Sequence, residues 1–226
     1  MKKYILNKKS RIDQKKIDKL KKYDVATIYE AQGKIGLIND QIKPIDRNQF
    51  VCGSAVTVEC FAGDNLMIHA AIEVCKPNDV LVITTIGESK HGMIGELIIK
   101  ALIERKVQGV VIDAGVRDVA EIRELGFPIW SRAIHSQGTT KSRGGWVNSS
   151  VICGGEKINP GDIIMADDDG VVRISKEDID EVNELANARM EKEEKTKEKI
   201  KNQELSLDFY NLRKVLEEEQ VIYYEE

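Results

Sequence analysis

The stretch GMIGELIIKALIERKVQGVVIDAGVRDV, residues 92–119, holds the residue types best suited to chemistry. Glycines lead into a helix-forming run at Gly95-Glu96-Leu97, and an apolar run, GVVIDAG, ends in Gly115-Val116-Arg117-Asp118. In open α/β folds, ligands collect where strand ends meet helix starts. The first N–H groups of a helix lack partners within it, so those of Gly95 to Ile98 could hold a carboxylate. Arg117 offers a planar fork that can bind the same carboxylate through two bonds. Asp118 adds a hard oxygen ligand, and Glu96 a second carboxylate. Together these groups would hold a 2-oxo acid and a divalent cation side by side. The same residues also read as a helix-opening glutamate and a surface Arg–Asp pair, and spacing alone does not choose between the two.

The flanking sequence predicts elements able to position them. Ser10 can cap a helix carrying Ile12, Ile17, Leu20, Val25 and Ile28 and ending near Gly33. VCGSAVTVEC (51–60), VLVITT (80–85) and GVVIDAG (109–115) read as strands, the last two buried on both faces. NLMIHAAIEVCK, ELIIKALIERK and DVAEIRELG read as the helices between and after them. This alternation predicts a partly parallel sheet covered by helices. FPIWSRAI, WVNSSVIC and IIMADDDGVVRIS read instead as short antiparallel strands. From Lys176 onward the chain is charged on nearly every helical face, which suits an arm and not a core helix. The expected division is an α/β catalytic body, 1–175, and a helical arm, 176–226, packed on a neighbouring subunit.

Composition narrows the class. The 226 residues are 42% hydrophobic, enough for a sizeable core. With 34 basic and 38 acidic residues the net charge is −4, which argues against a nucleic-acid binder relying on phosphate contacts. No apolar run approaches the roughly 20 residues of a membrane span, and MKKYILNKKSR lacks a signal-peptide core. Cys52, Cys60, Cys75 and Cys153 are scattered, without zinc spacing; they read as small buried apolar residues of a cytoplasmic protein.

Other candidates carry plain readings beside chemical ones. Asp167-Asp168-Asp169-Gly170 reads as a hairpin turn, since the later glutamate of a calcium loop is missing. His69, in an apolar helix, reads as a packing residue. His91 precedes the glycine loop and could line the pocket. His135, Lys141 and Arg143, in HSQGTTKSRGG, could meet distal carboxylates of a substrate or form an ordinary solvated loop. Lys100 and Lys106 could serve a Schiff-base mechanism, but neither has a supporting motif.

Glu96, twenty intervening residues and then Arg117-Asp118 resemble the mark of the class II pyruvate aldolases. Those enzymes act on 4-hydroxy-4-methyl-2-oxoglutarate and 4-carboxy-4-hydroxy-2-oxoadipate, in a wider family that includes the regulator of ribonuclease E activity A. RGGWVNSSVICGGEKINPGDIIMADDDGVVRI resembles the family's PGDIVVADDDGV segment, and LSLDFYNLRKVLEE is similar to the aldolases' C-terminal extension. The resemblance implies a layered α/β sandwich like the swivelling phosphohistidine domain, with a C-terminal helical extension and a trimeric or hexameric assembly. It implies that Asp118 binds Mg²⁺ or Mn²⁺, that Glu96 acts through metal-bound water, and that Arg117 holds the pyruvyl carboxylate. The N–H groups of Gly95, Glu96, Leu97 and Ile98 complete that cradle, and Glu193 of a neighbouring subunit reaches the metal, with Glu191 and Glu194 as competitors. The implied activity is retro-aldol release of pyruvate, with oxaloacetate decarboxylation, because a cation can stabilise the common enolate. Two alternatives stand: a ribonuclease-regulating binding protein without catalysis, and a sister aldolase with a different acceptor.

Overall fold

VLVITT and GVVIDAG lie at the centre of the molecule because nearly every residue in them is apolar and both faces of their sheet are covered. The computed structural model describes residues 2–7 and 10–224. In chain order, the first elements are β1 (Tyr4–Ile5), α1 (Gln14–Leu20), α2 (Val25–Ala31), β2 (Lys43–Pro44) and β3 (Val51–Phe61). Next come α3 (Leu66–Val74), β4 (Asp79–Ile86), β5 (Gly92–Ile94), α4 (Glu96–Glu104), β6 (Gly109–Val116) and α5 (Val119–Glu124). The strands β7 (Ile129–Ile134), β8 (Trp146–Val147), β9 (Val151–Cys153), β10 (Glu156–Ile158), β11 (Ile163–Ala166) and β12 (Val171–Ile174) follow. Three helices end the chain: α6 (Ile179–Lys201), α7 (Ser206–Phe209) and α8 (Arg213–Glu218).

The main sheet runs β1-β8-β3-β4-β6-β7-β2, with β5 beside β6 and β11 joining β3 to β12. Strands β3, β4, β6 and β7 are mutually parallel. Side-chain alternation divides the core in two. Leu81, Ile83, Val110 and Ile112 face α3, α4 and α5 through Ile68, Ile99, Leu102 and Ile122. Val80, Val82 and Val111 face the other way, toward Trp130, Val151, Cys153 and Ile164. A third cluster joins Ile17, Leu20 and Ile28 to Met165, Val172, Ile179, Val182 and Ala186.

Two expectations need correction. The helix expected from Ser10 to Gly33 is two helices. The Asp24 carboxylate accepts from Thr27 N at 2.6 Å and starts α2 afresh, while Tyr23 is buried at the joint. Strand β7, expected to be antiparallel, continues the parallel set on β6, because α5 is long enough to carry the chain across. The chain divides into the compact units Met1–Ala186 and Asn187–Glu226, and Ile179, Val182 and Ala186 are core residues of the first. No described residue after Ala186 is buried. The tight turn at Asp167–Gly170 is present, closed by Asp167 N donating to Gly170 O at 3.0 Å within the β11–β12 hairpin. All four cysteines are buried and free. Among the described residues no helix is long and apolar enough to cross a membrane.

Candidate active site

The twenty-residue interval between Glu96 and Arg117 is one crossover: α4 leaves the end of β5, and β6 returns parallel beside that same strand. Gly92 therefore pairs with Gly115 and Ile94 with Val116, and Arg117 N donates to Ile94 O at 2.9 Å. This brings the start of α4 against the Arg117-Asp118 pair. Asp118 has φ 56° and ψ 41°, a left-handed conformation that a non-glycine residue adopts at a cost of about 1 kcal/mol or more. Although Asp118 precedes α5, its side chain does not cap that helix. Oδ2 instead accepts from Glu96 N at 3.1 Å, and Arg117 Nε lies 3.8 Å from the same oxygen.

Gly95 is required at this point. A Cβ there would overlap Asp118 Oδ2 and crowd the Arg117 side chain. At Gly92, a Cβ would stand 2.8 Å from Arg117 Cβ. The glycines thus let the β5–α4 backbone touch the two charged side chains.

The amide cradle is narrower than the sequence predicts. Glu96 N–H is taken by Asp118 and Ile98 N–H by Gly95 O, which leaves the Gly95 and Leu97 N–H groups without an acceptor among the described residues. The Glu96 carboxylate pairs with Lys100 Nζ at 2.6 Å along α4 and does not line the cleft. Leu97 does line it and is 79% exposed, an unusual position for a large apolar side chain.

The cleft has a volume of about 130 Å³, and Asn65, His69 and Lys141 join Gly95, Arg117 and Asp118 around it. Sequence reasoning missed Asn65. It lies at the start of α3, 4% exposed, and its Nδ2 donates to Met93 O at 3.0 Å while Oδ1 has no partner. His69 is exposed on the cleft wall and is not the packing residue expected from the apolar helix. Partial burial and then the nearby Lys141 charge push its imidazole below the usual histidine value.

Lys141 reaches the cleft because Asp64 pins its loop. Asp64 Oδ2 accepts from Thr140 Oγ1 at 2.7 Å, Ser142 N at 2.7 Å and Oγ at 3.1 Å, and Arg143 N at 3.1 Å. Its Oδ1 accepts from Leu66 N at 3.1 Å. Burial opposes ionisation of this carboxyl, but those bonds outweigh it and hold Asp64 well below the usual carboxylate range. No signal in the sequence joins Asp64 to Thr140, 76 positions away.

Other predicted residues lie elsewhere. His91 Nδ1 is 3.3 Å from Ser89 Oγ and its ring packs on Gly63. Arg143 stacks on Phe61 at 3.7 Å, and His135 Nδ1 accepts from Gln137 N in an exposed turn. Neither Lys100 nor Lys106 lines the cleft. Glu193, in the unit Asn187–Glu226, pairs with Arg189 at 3.0 Å.

As a cation site the donor set is hard and sparse. Asp118 supplies carboxylate oxygen, and no group of three or more His, Cys, Asp or Glu gathers among the described residues. One carboxylate suits magnesium, which keeps most of its waters, and does not suit zinc. A larger cleft exists near Arg173, but it lacks the helix start and the Arg–Asp pair at the carboxyl edge of the parallel strands.

Comparison with known proteins agrees with this architecture. A provisionally named 4-hydroxy-4-methyl-2-oxoglutarate aldolase of Halalkalibacterium halodurans is 32% identical over 177 residues, covering 77% of this chain and 84% of that protein. An uncharacterized protein of Methanocaldococcus jannaschii is 36% identical over 199 residues, covering 85% and 92%. The structure of a Streptomyces coelicolor protein, titled an unusual member of the RNase ES inhibitor RraA family, superposes with a TM-score of 0.76 at 25% identity. That match covers 84% of this chain and 99% of the other. The profile of the RraA-like family, Aldolase/RraA, matches residues 24–173, a span that holds Asn65, Glu96, Arg117, Asp118 and Lys141 and excludes Glu193. The chain belongs to the Aldolase/RraA family of RraA-like proteins.

Proposed function

We propose that this protein is a divalent-metal-dependent aldolase that releases pyruvate from 4-hydroxy-4-methyl-2-oxoglutarate-type acids and also decarboxylates oxaloacetate. The observation that carries the reading is the meeting of Arg117, Asp118 and the Leu97 N–H at one small cleft on the carboxyl edge of the sheet. Asp118 would hold the cation, Mg²⁺ or Mn²⁺; Glu96 would add negative charge through water on turning away from Lys100, and Glu193 of a neighbouring subunit would supplement it. When bound, the cation supplies Lewis-acid stabilisation of negative charge on the 2-oxo oxygen.

The chain's own groups account for the rest. The Arg117 guanidinium makes no hydrogen bond to an acceptor among the described residues and the side chain is 44% exposed, so its fork can take the pyruvyl carboxylate, with the Leu97 N–H beside it. Lys141, which also lines the cleft, meets the distal carboxylate. His69, held neutral by burial and by Lys141, accepts the substrate's hydroxyl proton on an imidazole nitrogen as the carbon–carbon bond breaks. Oxaloacetate presents the same pyruvyl unit with carbon dioxide as the leaving group, so its cleavage needs no hydroxyl deprotonation. The exposed Leu97 and the unburied arm support assembly as a trimer or hexamer in which neighbours cover these surfaces.

The test is pyruvate release from oxaloacetate and from 4-hydroxy-4-methyl-2-oxoglutarate with Mg²⁺, repeated after chelation. Turnover that stops with chelator and returns with metal supports the reading; turnover indifferent to metal refutes it. Structural likeness to RNA-processing inhibitors favours one second reading, a ribonuclease-binding protein. Complete absence of turnover on both acids, together with inhibition of a ribonuclease E-type enzyme, would establish that alternative.

A further inference from the structure

Asn65 touches both sets of elements that line the Asp118 cleft. Its backbone N–H donates to Thr140 O at 3.0 Å, in the loop that presents Lys141. Its carbonyl accepts from Ile68 N at 3.1 Å and His69 N at 3.4 Å, which opens α3 and puts His69 one turn along the same helix face. The side chain reaches the other set. Nδ2 donates to Met93 O at 3.0 Å, on β5 two residues before Gly95. From there the chain passes into the Gly95 contact with Asp118 and on to the Leu97 N–H.

Packing alone does not account for an amide at this position. Asn65 is 4% exposed, and its Oδ1 is buried without a partner. An unsatisfied buried oxygen is unfavourable, and an apolar side chain of similar size would avoid it. What the amide supplies is the donor to Met93 O. The Lys141 loop does not depend on that donor for its attachment to α3, because the Asp64 carboxylate holds Thr140, Ser142 and Arg143. The Nδ2 bond therefore bears on how α3 and its attached loop sit against β5.

We propose that Asn65 is a positioning residue, whose bond to Met93 sets the place of His69 and Lys141 relative to the pyruvyl unit at Arg117 and Asp118. This rests on the aldolase reading and gives Asn65 no contact with substrate. His69 takes the hydroxyl proton as the carbon–carbon bond breaks, and a misplacement of about 1 Å is enough to slow such a step on the order of 100-fold. Oxaloacetate uses the same pyruvyl cradle without hydroxyl deprotonation. The two acids thus separate a shift of His69 from a general loss of structure.

Asn65→Leu removes the amide at similar volume, and Asn65→Asp replaces the donor with an acceptor. In each, kcat for 4-hydroxy-4-methyl-2-oxoglutarate should fall about 100-fold and kcat for oxaloacetate less than about threefold, with circular dichroism unchanged. Placed on His69→Gln, Asn65→Leu should cost no further activity, because residues that act as a unit are not additive. The His69 C2–H titration gives a readout independent of turnover. Its midpoint should rise toward 6.5 in Asn65→Leu, as the start of α3 loosens from β5 and the imidazole loses burial. Equal losses on both acids, or an undiminished loss on His69→Gln, would show a structural role only and overturn the proposal. Unchanged kinetics would overturn it as well. Wild-type protein that turns over neither acid with Mg²⁺ would remove the aldolase reading instead. The titration would then decide alone: a raised midpoint keeps Asn65 as the residue that places His69, and an unmoved one overturns it.

Discussion

The Asp118 carboxylate rests on the backbone N–H of Glu96, at 3.1 Å, and its second oxygen accepts no hydrogen bond among the described residues. One oxygen is therefore anchored and the other is open to the cleft. Asp118→Asn can keep the anchoring bond through its amide oxygen, and asparagine tolerates the left-handed backbone equally well. It removes the anionic ligand alone. We expect kcat for pyruvate release to fall by about 100-fold or more, with Tm moving by no more than about 2 °C. Retained turnover with an intact melting curve would refute the role given to this carboxylate.

Gly95→Ala tests the close approach from the other partner. The added methyl would overlap Asp118 Oδ2, and neither backbone can retreat because β5 is paired to β6 on that side. Overpacking of this kind costs roughly 1–3 kcal/mol. The larger effect is expected in activity, as displacement of Asp118 by about 1 Å is worth on the order of 100-fold. Steady-state kinetics beside a thermal melt separate the two effects: a loss of stability with normal kinetics would show that the contact is structural only.

How much of this was legible in the sequence depends on whether neighbours in space are neighbours in a crossover. Glu96, Arg117 and Asp118 could be found because one helix and one strand connect them, and the length of that unit is fixed by helix and strand rise. The strands at 80–85 and 109–115 were equally readable, since both carry continuous apolar runs. Asn65, His69 and Lys141 were not grouped with them. Their meeting depends on Asp64 and Thr140, whose contact leaves no periodicity in either segment. The break at Asp24 was hidden for a different reason. Apolar spacing runs through it, and the cap and buried Tyr23 that divide the helix act only once tertiary packing exists.

Asp64→Asn should loosen the loop that carries Lys141. The amide keeps one acceptor, but its NH₂ group faces N–H and O–H donors that the carboxylate satisfied. Bonds to a buried charged acceptor make the expected loss about 2–3 kcal/mol at pH 7. The sign follows from the folded carboxyl sitting below its ordinary range. Its stabilisation is fully present above the unfolded value of about 3.9 and is lost as pH falls toward the folded one. Urea unfolding should therefore show a wild-type advantage that is level at pH 5–7 and shrinks below about pH 4. An advantage that persists undiminished at pH 2 would contradict the charge-based account.

His69 should titrate below the ordinary value of 6.5, because partial burial and then the Lys141 ammonium both oppose its protonation. In Lys141→Gln only the second cause is removed, so the midpoint should rise toward 6.5 without passing it. Proton NMR of the imidazole C2–H reads this directly. If His69 takes the hydroxyl proton, kcat/KM for the hydroxy acid falls on the acid side with the same midpoint and follows it upward in Lys141→Gln. Oxaloacetate decarboxylation, which needs no such step, should keep its acid limb unmoved. A limb common to both substrates would separate His69 from the proton transfer.

Two truncations test where the body ends and what the arm does. Stopping after Ser175 removes Ile179, Val182 and Ala186, which pack with Ile17, Leu20 and Ile28. Loss of a buried isoleucine alone costs about 2–5 kcal/mol, so this variant should be unfolded or aggregated at 25 °C. Stopping after Ala186 keeps that cluster and removes only residues of which none described is buried. Its melting should be cooperative and close to that of the full chain, with a weaker helical circular-dichroism signal because most of α6 and all of α7 and α8 are gone. If the arm crosses to a neighbour, light scattering should show a smaller assembly, and pyruvate release should fall because Glu193 is gone. A shortened chain that stays a trimer or hexamer and turns over normally would place both assembly and catalysis wholly within Met1–Ala186. A chain stopped after Ser175 that folds cooperatively would instead show that the α6 start contributes little to the core.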